Sequence, residues 1–158
     1  MRISELDVRD HALLRELQHD GRLSNAELAH RVNLSPSACL RRLRLLERSG
    51  LVNHYALLLD EAACGLPGTA FVRVTLDRQD RAALDAFESA VAEAEEVMEC
   101  YLIAGDADYM MRIIYSDARE IERIHTDVLT QFPGVARVQS TLALRTVKKT
   151  TAIPLKRP

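Results

Sequence analysis

At 158 residues, 47% apolar and 28% charged, the chain has the composition of a globular protein of one domain or two small ones. No apolar run approaches the roughly 18 residues of a membrane span, and the opening MRISELDVRD contains no apolar leader segment. The net charge of -2 conceals an asymmetry: residues 1–50 sum to +2, residues 51–147 to -8 and residues 148–158 to +4. Such a balance excludes general attraction to polyanions, so any nucleic-acid binding must come from a local patch. Cys39, Cys64 and Cys100 stand 25 and 36 residues apart, without a CxxC or Cys/His ligand pattern, and read as isolated buried thiols with no metal.

The first fifty residues predict three short helices. Asp7 is placed to cap the first, whose apolar face is Leu13, Leu14 and Leu17 and which Asp20-Gly21 ends. Ser24 opens SNAE, a capping box with Glu27 at the third helical position, followed by Leu28, Ala29 and Val32 on the buried side. Ser35 caps the third helix, and Pro36 sits at its first position, where a missing N–H leaves nothing unsatisfied. Three compact helices joined by short turns resemble a helix-turn-helix unit.

Residues 51–60, LVNHYALLLD, fit either a strand or a connecting segment, and CGLPG is a loop signal, so a hinge falls near residues 61–68. Beyond it TAFVRVTL reads as a strand, Leu84, Phe87 and Val91 stripe a helix, and EEVMECYLIAG supplies a second strand. The pattern then recurs: YMMRIIY is a strand, Ile121, Ile124 and Val128 mark a helix, and PGVARVQSTLALRTV closes with a strand. The order β-α-β-β-α-β is the ferredoxin-like split arrangement. The fold class is therefore α+β. A helix-turn-helix (winged-helix-like) domain spans residues 1–52, a linker strand or hinge residues 53–68, and a ferredoxin-like domain residues 69–158. MMRII and LIAG are apolar on both faces, whereas two helices cover only one face of a four-stranded sheet. A wholly apolar second face predicts burial against another copy, hence a dimer.

LSPSACLRRLRLLER, residues 34–48, places four arginines among leucines. On a helical wheel Leu43 and Leu46 fall within about 40° of Cys39, while Ser37, Arg41, Arg44 and Arg48 lie opposite and Arg42 lies on the flank. A solvated face normally mixes acids with bases; this one carries no acid, and Glu47 sits on the flank. The small residues Ser35, Ser37 and Ala38 at the start permit close approach to base edges, as in a recognition helix. Arg41 and Arg44 can each form two parallel hydrogen bonds to a guanine edge or a phosphate. A DNA reader outweighs a merely solvated helix.

AGDADY, residues 104–109, sustains two readings. It is a hairpin turn with a permissive glycine and capping aspartates, or a loop that grips a zwitterion, an aspartate accepting from an α-ammonium while Gly105 lets a carboxylate approach backbone N–H groups. An enzyme would have to draw on His54, His125 and these acids. The chain has no nucleophile elbow, P-loop or HExxH motif, and no catalytic residue is assigned.

The runs LDxxD, DGRxSxxELA, LSPSxCLRRxxxLE and GDADY, in this order and spacing, resemble the Lrp/AsnC "feast/famine" transcription regulators over nearly the whole chain. Leu45 stands where that family commonly has a basic residue, and Asn33 where glycine is frequent. The resemblance implies a DNA-binding regulator, cytoplasmic and nucleoid-associated, built as homodimers that assemble to tetramers or octamers on double-stranded promoter DNA, with no membrane partner. It implies no cofactor, but a small amino-acid effector that binds between the C-terminal domains and shifts assembly or DNA affinity. The DNA-binding residues would be Ser35, Ser37, Ala38, Arg41, Arg42 and Arg44. The effector pocket would involve Leu102, Gly105, Asp106, Asp108 and Tyr109, and on the last strand Ser140, Thr141, Leu142 and Ala143. The alternative is an architectural DNA-binding protein that needs no ligand.

Overall fold

The computed structural model describes residues 6–155. Residues up to Leu57, together with those from Lys148 onward, form one compact unit, and Leu58–Val147 form the other.

The first unit contains α1 (Val8–His19), α2 (Asn25–Arg31) and α3 (Pro36–Arg48). Each starts at the expected cap. Asp7 accepts from the N–H groups of Arg9 and Asp10, and Asp10 reciprocates by accepting from Asp7 N at 3.2 Å. Ser24 and Glu27 complete the predicted capping box of α2, and Ser35 Oγ accepts from Ala38 N of α3. Every cap satisfies N–H groups that the helix itself leaves unpaired. Leu13, Leu28, Ala29, Val32, Cys39 and Leu46 bury the facing sides in one core. The α2–α3 turn passes through Asn33 at φ 53°, a left-handed conformation that asparagine tolerates better than most residues without being glycine. Residues 52–60 carry no strand, and Leu57, Leu58 and Leu59 stand exposed along them. The segment from Lys148 returns to α1, where the Gln18 side chain donates to Ile153 O at 3.3 Å and accepts from Ile153 N at 2.6 Å.

The second unit contains β1 (Gly68–Leu76), α4 (Arg81–Ala92), β2 (Val97–Leu102), β3 (Tyr109–Tyr115), α5 (Ala118–Arg123) and β4 (Val135–Leu142). A π turn over Ile124–Val128 and a 3-10 turn over Leu129–Gln131 prolong α5. The antiparallel sheet runs β2-β3-β1-β4, the order of a split β-α-β. Strand periodicity sends Ala70, Val72 and Val74 of β1 and Tyr109, Met111 and Ile113 of β3 to the helix side. There they meet Phe87 and Val91 of α4, with Ile124, Leu129 and Phe132, in a continuous core. Phe87 lies 4.5 Å from the Tyr109 ring and 5.6 Å edge-on from Phe132.

The other sheet face is not the apolar surface that the strand composition suggested. By register Phe71, Met110, Ile114 and Tyr101 share it with Arg73, Arg112, Glu99, Arg137, Gln139, Thr75 and Thr141. The runs look apolar because polar residues occupy single alternate positions in each strand, and only register shows that these fall on one side. Arg112 is paired there with Glu99, its cross-strand neighbour, at 2.8 Å, and with Glu61 at 3.3 Å. No helix among the described residues is long and apolar enough to cross a membrane.

Candidate nucleic-acid interface and effector site

The outer face of α3 is assembled as its periodicity predicts. Cys39 and Leu46 are buried and Leu43 packs against the same core, while Ser37, Arg41, Arg44 and Arg48 are exposed on the opposite side. The guanidinium groups of Arg41, Arg44 and Arg48 form no ion pair among the described residues. Asn25 Nδ2 donates to Pro36 O at 2.8 Å and so ties the start of α3 to α2. Ser35 and Ser37 share a hydroxyl contact at 3.2 Å, and Ala38 is half-buried behind them. Leu45 remains 52% exposed and does not join the core.

Arg42 differs from its neighbours. Its Nη1 lies 2.8 Å from Asp7 Oδ2 and 2.8 Å from Asp10 Oδ1, so the flank position faces the start of α1. The Asp10 N–H, joined by Arg42, holds the Asp7 carboxyl below its ordinary range, and the hydrogen bond to Asp10 raises Arg42 in turn. This guanidinium locks two helices together at the position that the sequence grouped with the DNA-contacting residues. The LDxxD run is the signal that was open to reading, because it carries two carboxylates three residues apart on one turn.

In the second unit the residues expected around the effector divide. Gly105 turns the β2–β3 loop at φ 153°, and a Cβ there would meet no atom within 4 Å. Asp106 is exposed and points to the open face, where its Oδ2 accepts from Arg73 at 2.9 Å. Asp108 is committed to the fold, its oxygens accepting from Leu76 N at 2.7 Å and Gln79 Nε2 at 2.6 Å. Tyr109 faces the helices and donates to Glu88 at 2.7 Å; burial first, and then this carboxylate, push its phenol pKa upward. Ser140 is also on the helix side, 3.2 Å from His125 Nδ1, whereas Thr141 faces the open side opposite Phe71.

Leu102 and Leu142 lie on opposite edge strands. Leu102 pairs with Tyr109, which faces Val74, while Leu142 pairs with Ala70. The two leucines are therefore roughly 13 Å apart along the strands and about 14 Å across them, at ~3.3 Å per residue and ~4.8 Å per strand. One chain does not bring the loop and the end of the last strand into one pocket. Instead it groups Asp106 and Ala107 with Arg73, Thr75, Arg137 and Gln139 around an open depression. Sequence reasoning missed the last four, although an arginine in the middle of TAFVRVTL marked the position. Among the described residues no three His, Cys, Asp or Glu side chains are placed to hold a metal ion.

Comparison with known proteins matches the domain models for "Winged helix-turn-helix DNA-binding" over residues 6–53 and "Lrp/AsnC ligand binding domain" over residues 69–153. The leucine-responsive regulatory protein of Klebsiella pneumoniae is 37% identical over 152 residues, covering 96% of this chain and 93% of the relative. A Neisseria meningitidis transcriptional regulator solved in complex with L-Met superposes with a TM-score of 0.91 at 39% identity, over 95% of this chain and 97% of that one. An AsnC family transcriptional regulator from Agrobacterium tumefaciens gives a TM-score of 0.90 at 31% identity, over 95% and 97%. With both domain models in chain order and matches over almost the full length, this chain belongs to the Lrp/AsnC family of transcription regulators.

Proposed function

We propose that this chain is a sequence-specific DNA-binding transcription regulator whose assembly or DNA affinity responds to a small amino acid held by its C-terminal domain. The observation that carries the DNA half is the outward face of α3, where Ser37, Arg41, Arg44 and Arg48 are exposed and unmatched by any acid on that face. Arg41 and Arg44 are the reading and anchoring groups, with Ser35, Ser37 and Ala38 allowing close approach to the groove. Arg42 is a positioning residue that sets α3 against α1.

The working form is a homodimer or an assembly of dimers on paired half-sites of promoter DNA, in the cytoplasm and nucleoid, without catalytic turnover. The separation of Leu102 from Leu142 supports an effector site whose walls come from different copies. A ligand that binds one association state more tightly shifts the population by its differential affinity, and altered spacing of the α3 helices then alters DNA affinity. A second reading, an architectural protein with no effector, is favoured by the commitment of Asp108 and Tyr109 to the fold.

Binding to the chain's own promoter region, followed by fluorescence anisotropy at several salt concentrations, tests the DNA half. Arg41→Ala is expected to cost about 1–3 kcal/mol if it meets a base edge. Arg44→Ala is expected to lower the salt slope by about one if it meets a phosphate. Unchanged affinity and slope in both variants refute the assignment. Calorimetric titration of the twenty amino acids separates the sensor from the architectural protein.

A further inference from the structure

The closing segment of the chain is charged out of proportion to its length. Residues 148–158 hold Lys148, Lys149, Lys156 and Arg157 and no acid. From Lys148 onward the segment belongs to the first compact unit, and residues 51–57 carry no formal charge. The first unit therefore sums to +6, four of it from this strap, whereas the second sums to -8. Over its described residues the strap has no regular secondary structure. Gln18, in the last turn of α1, anchors it by bonding both backbone N–H and C=O of Ile153, and Thr150 Oγ1 accepts from Ala152 N at 3.1 Å. Lys148 and Lys149 are exposed ahead of that anchor. Arg15 lies one helical turn before Gln18 and Arg22 in the α1–α2 turn, both exposed and without an ion pair among the described residues. The acids next to them are already bonded, Glu16 to Arg31 at 3.0 Å and Asp20 Oδ1 to the Arg22 N–H at 2.9 Å.

We propose that the strap is a second DNA-contacting element, which binds the phosphate backbone beside the half-site read by α3, whatever its sequence. The inference rests on the reading of α3 as a DNA reader. Arg22 stands two residues before Ser24, the cap of α2, and Asn25 at the start of α2 donates to Pro36 O at the start of α3 at 2.8 Å. The basic corner that receives the strap thus adjoins the end from which a recognition helix meets the groove, where the preceding helix crosses the backbone. Lysine presents a point charge on a long stem, which suits phosphates better than base edges. A merely solvated tail mixes signs and needs no anchor; this one carries a single sign and is fixed to the helical unit. The partner is duplex DNA rather than an acidic protein, because the strap shares one compact unit with the exposed arginines of α3.

The test is salt-dependent fluorescence anisotropy of the full-length chain on a promoter duplex and on an unrelated duplex of equal length. The fourfold variant Lys148→Gln, Lys149→Gln, Lys156→Gln and Arg157→Gln is expected to lower the salt slope by about two or more per bound chain. Its affinity should fall at least about tenfold on both duplexes alike, leaving their ratio unchanged. The variant with arginine in place of all three lysines keeps the charge and should bind as the parent does. An unchanged slope in the fourfold variant, while Arg41→Ala still weakens promoter binding, overturns this inference and leaves the DNA reading standing. A loss confined to the promoter duplex, or one accompanied by a changed mass in light scattering, also overturns it, by assigning the strap to base readout or to assembly. If the parent binds neither duplex, the DNA reading itself falls and carries this inference with it.

Discussion

The two units of this chain hold their shape by different means. In the first, three short helices surround a small core, and their starts and crossings are fixed by polar groups: the Asp7–Asp10 and Ser24–Glu27 boxes, the Ser35 cap and the bridge of Arg42 to α1. In the second, four strands and two helices enclose a larger apolar core, with aromatic contacts at its centre. The first unit therefore depends on directional contacts, each of modest strength, and the second on packed volume. The candidate surfaces follow the same division. On α3 the exposed arginines are presented by a single helix, whereas the Arg73 pocket exists only where three separate stretches of chain meet.

Three changes break or sharpen that contrast, in descending order of effect. Phe87→Ala removes a fully buried ring in contact with Tyr109 and Phe132, and it should cost the second unit about 3–5 kcal/mol. Denaturant unfolding followed by tyrosine fluorescence measures this, and a cost below about 1 kcal/mol would remove the claim that packing dominates there.

Arg42→Met cuts a partly exposed bridge and should cost the first unit under about 1 kcal/mol at neutral pH after solvent screening. The Asp7 carboxyl is depressed in the folded state, so its contribution is present above the ordinary carboxylate range. That contribution is lost as pH falls through the folded value. Unfolding curves at about pH 6 and about pH 3 should therefore differ less in Arg42→Met than in the parent, with a remainder due to the Asp10 N–H. An identical acid sensitivity in both proteins would mean that the bridge does not couple the helices.

The smallest effect concerns the thiols. Cys39 is buried and Cys100 half-buried, but Cys64 is exposed in the turn after Asp60, contrary to the expectation of three buried thiols. Burial, with Glu88 adding to it, pushes the Cys100 thiol up to about 11, so roughly one molecule in a thousand carries its thiolate at pH 8. A maleimide should label Cys64 first, and Cys64→Ser should abolish the fast phase without a change in stability. Fast labelling that survives in Cys64→Ser would show that the second unit opens around Cys100.

The same contrast explains what could be read from the residues alone. Caps, the α3 stripe and the unpaired arginine face are local, because one helical period and a few neighbouring residues determine them. The strand order was also within reach, since the β-α-β-β-α-β pattern is sequential. Pairing of Arg73 with Gln139 was not, because these residues are 66 positions apart and meet only through the β1–β4 register. A strand pattern says that alternate residues share a face but not which residue stands opposite. Arg42 escaped for a related reason: the wheel placed it on the flank but could not say what the flank touches. The family resemblance grouped Tyr109 and Asp108 with the effector loop; what it could not show is that alternation turns the ring toward Glu88 and that the β1 backbone donates to the carboxylate.

The return of the chain to α1 after β4 bears on how the protein is made. Gln18 and Ile153, which exchange two hydrogen bonds, are separated by 135 positions, and all of the second unit lies between them. On the ribosome the three helices emerge first, yet their last segment is translated only after Val147. The DNA-binding unit is thus begun first and completed last, and its final strap becomes available only once the whole sheet domain has been synthesised.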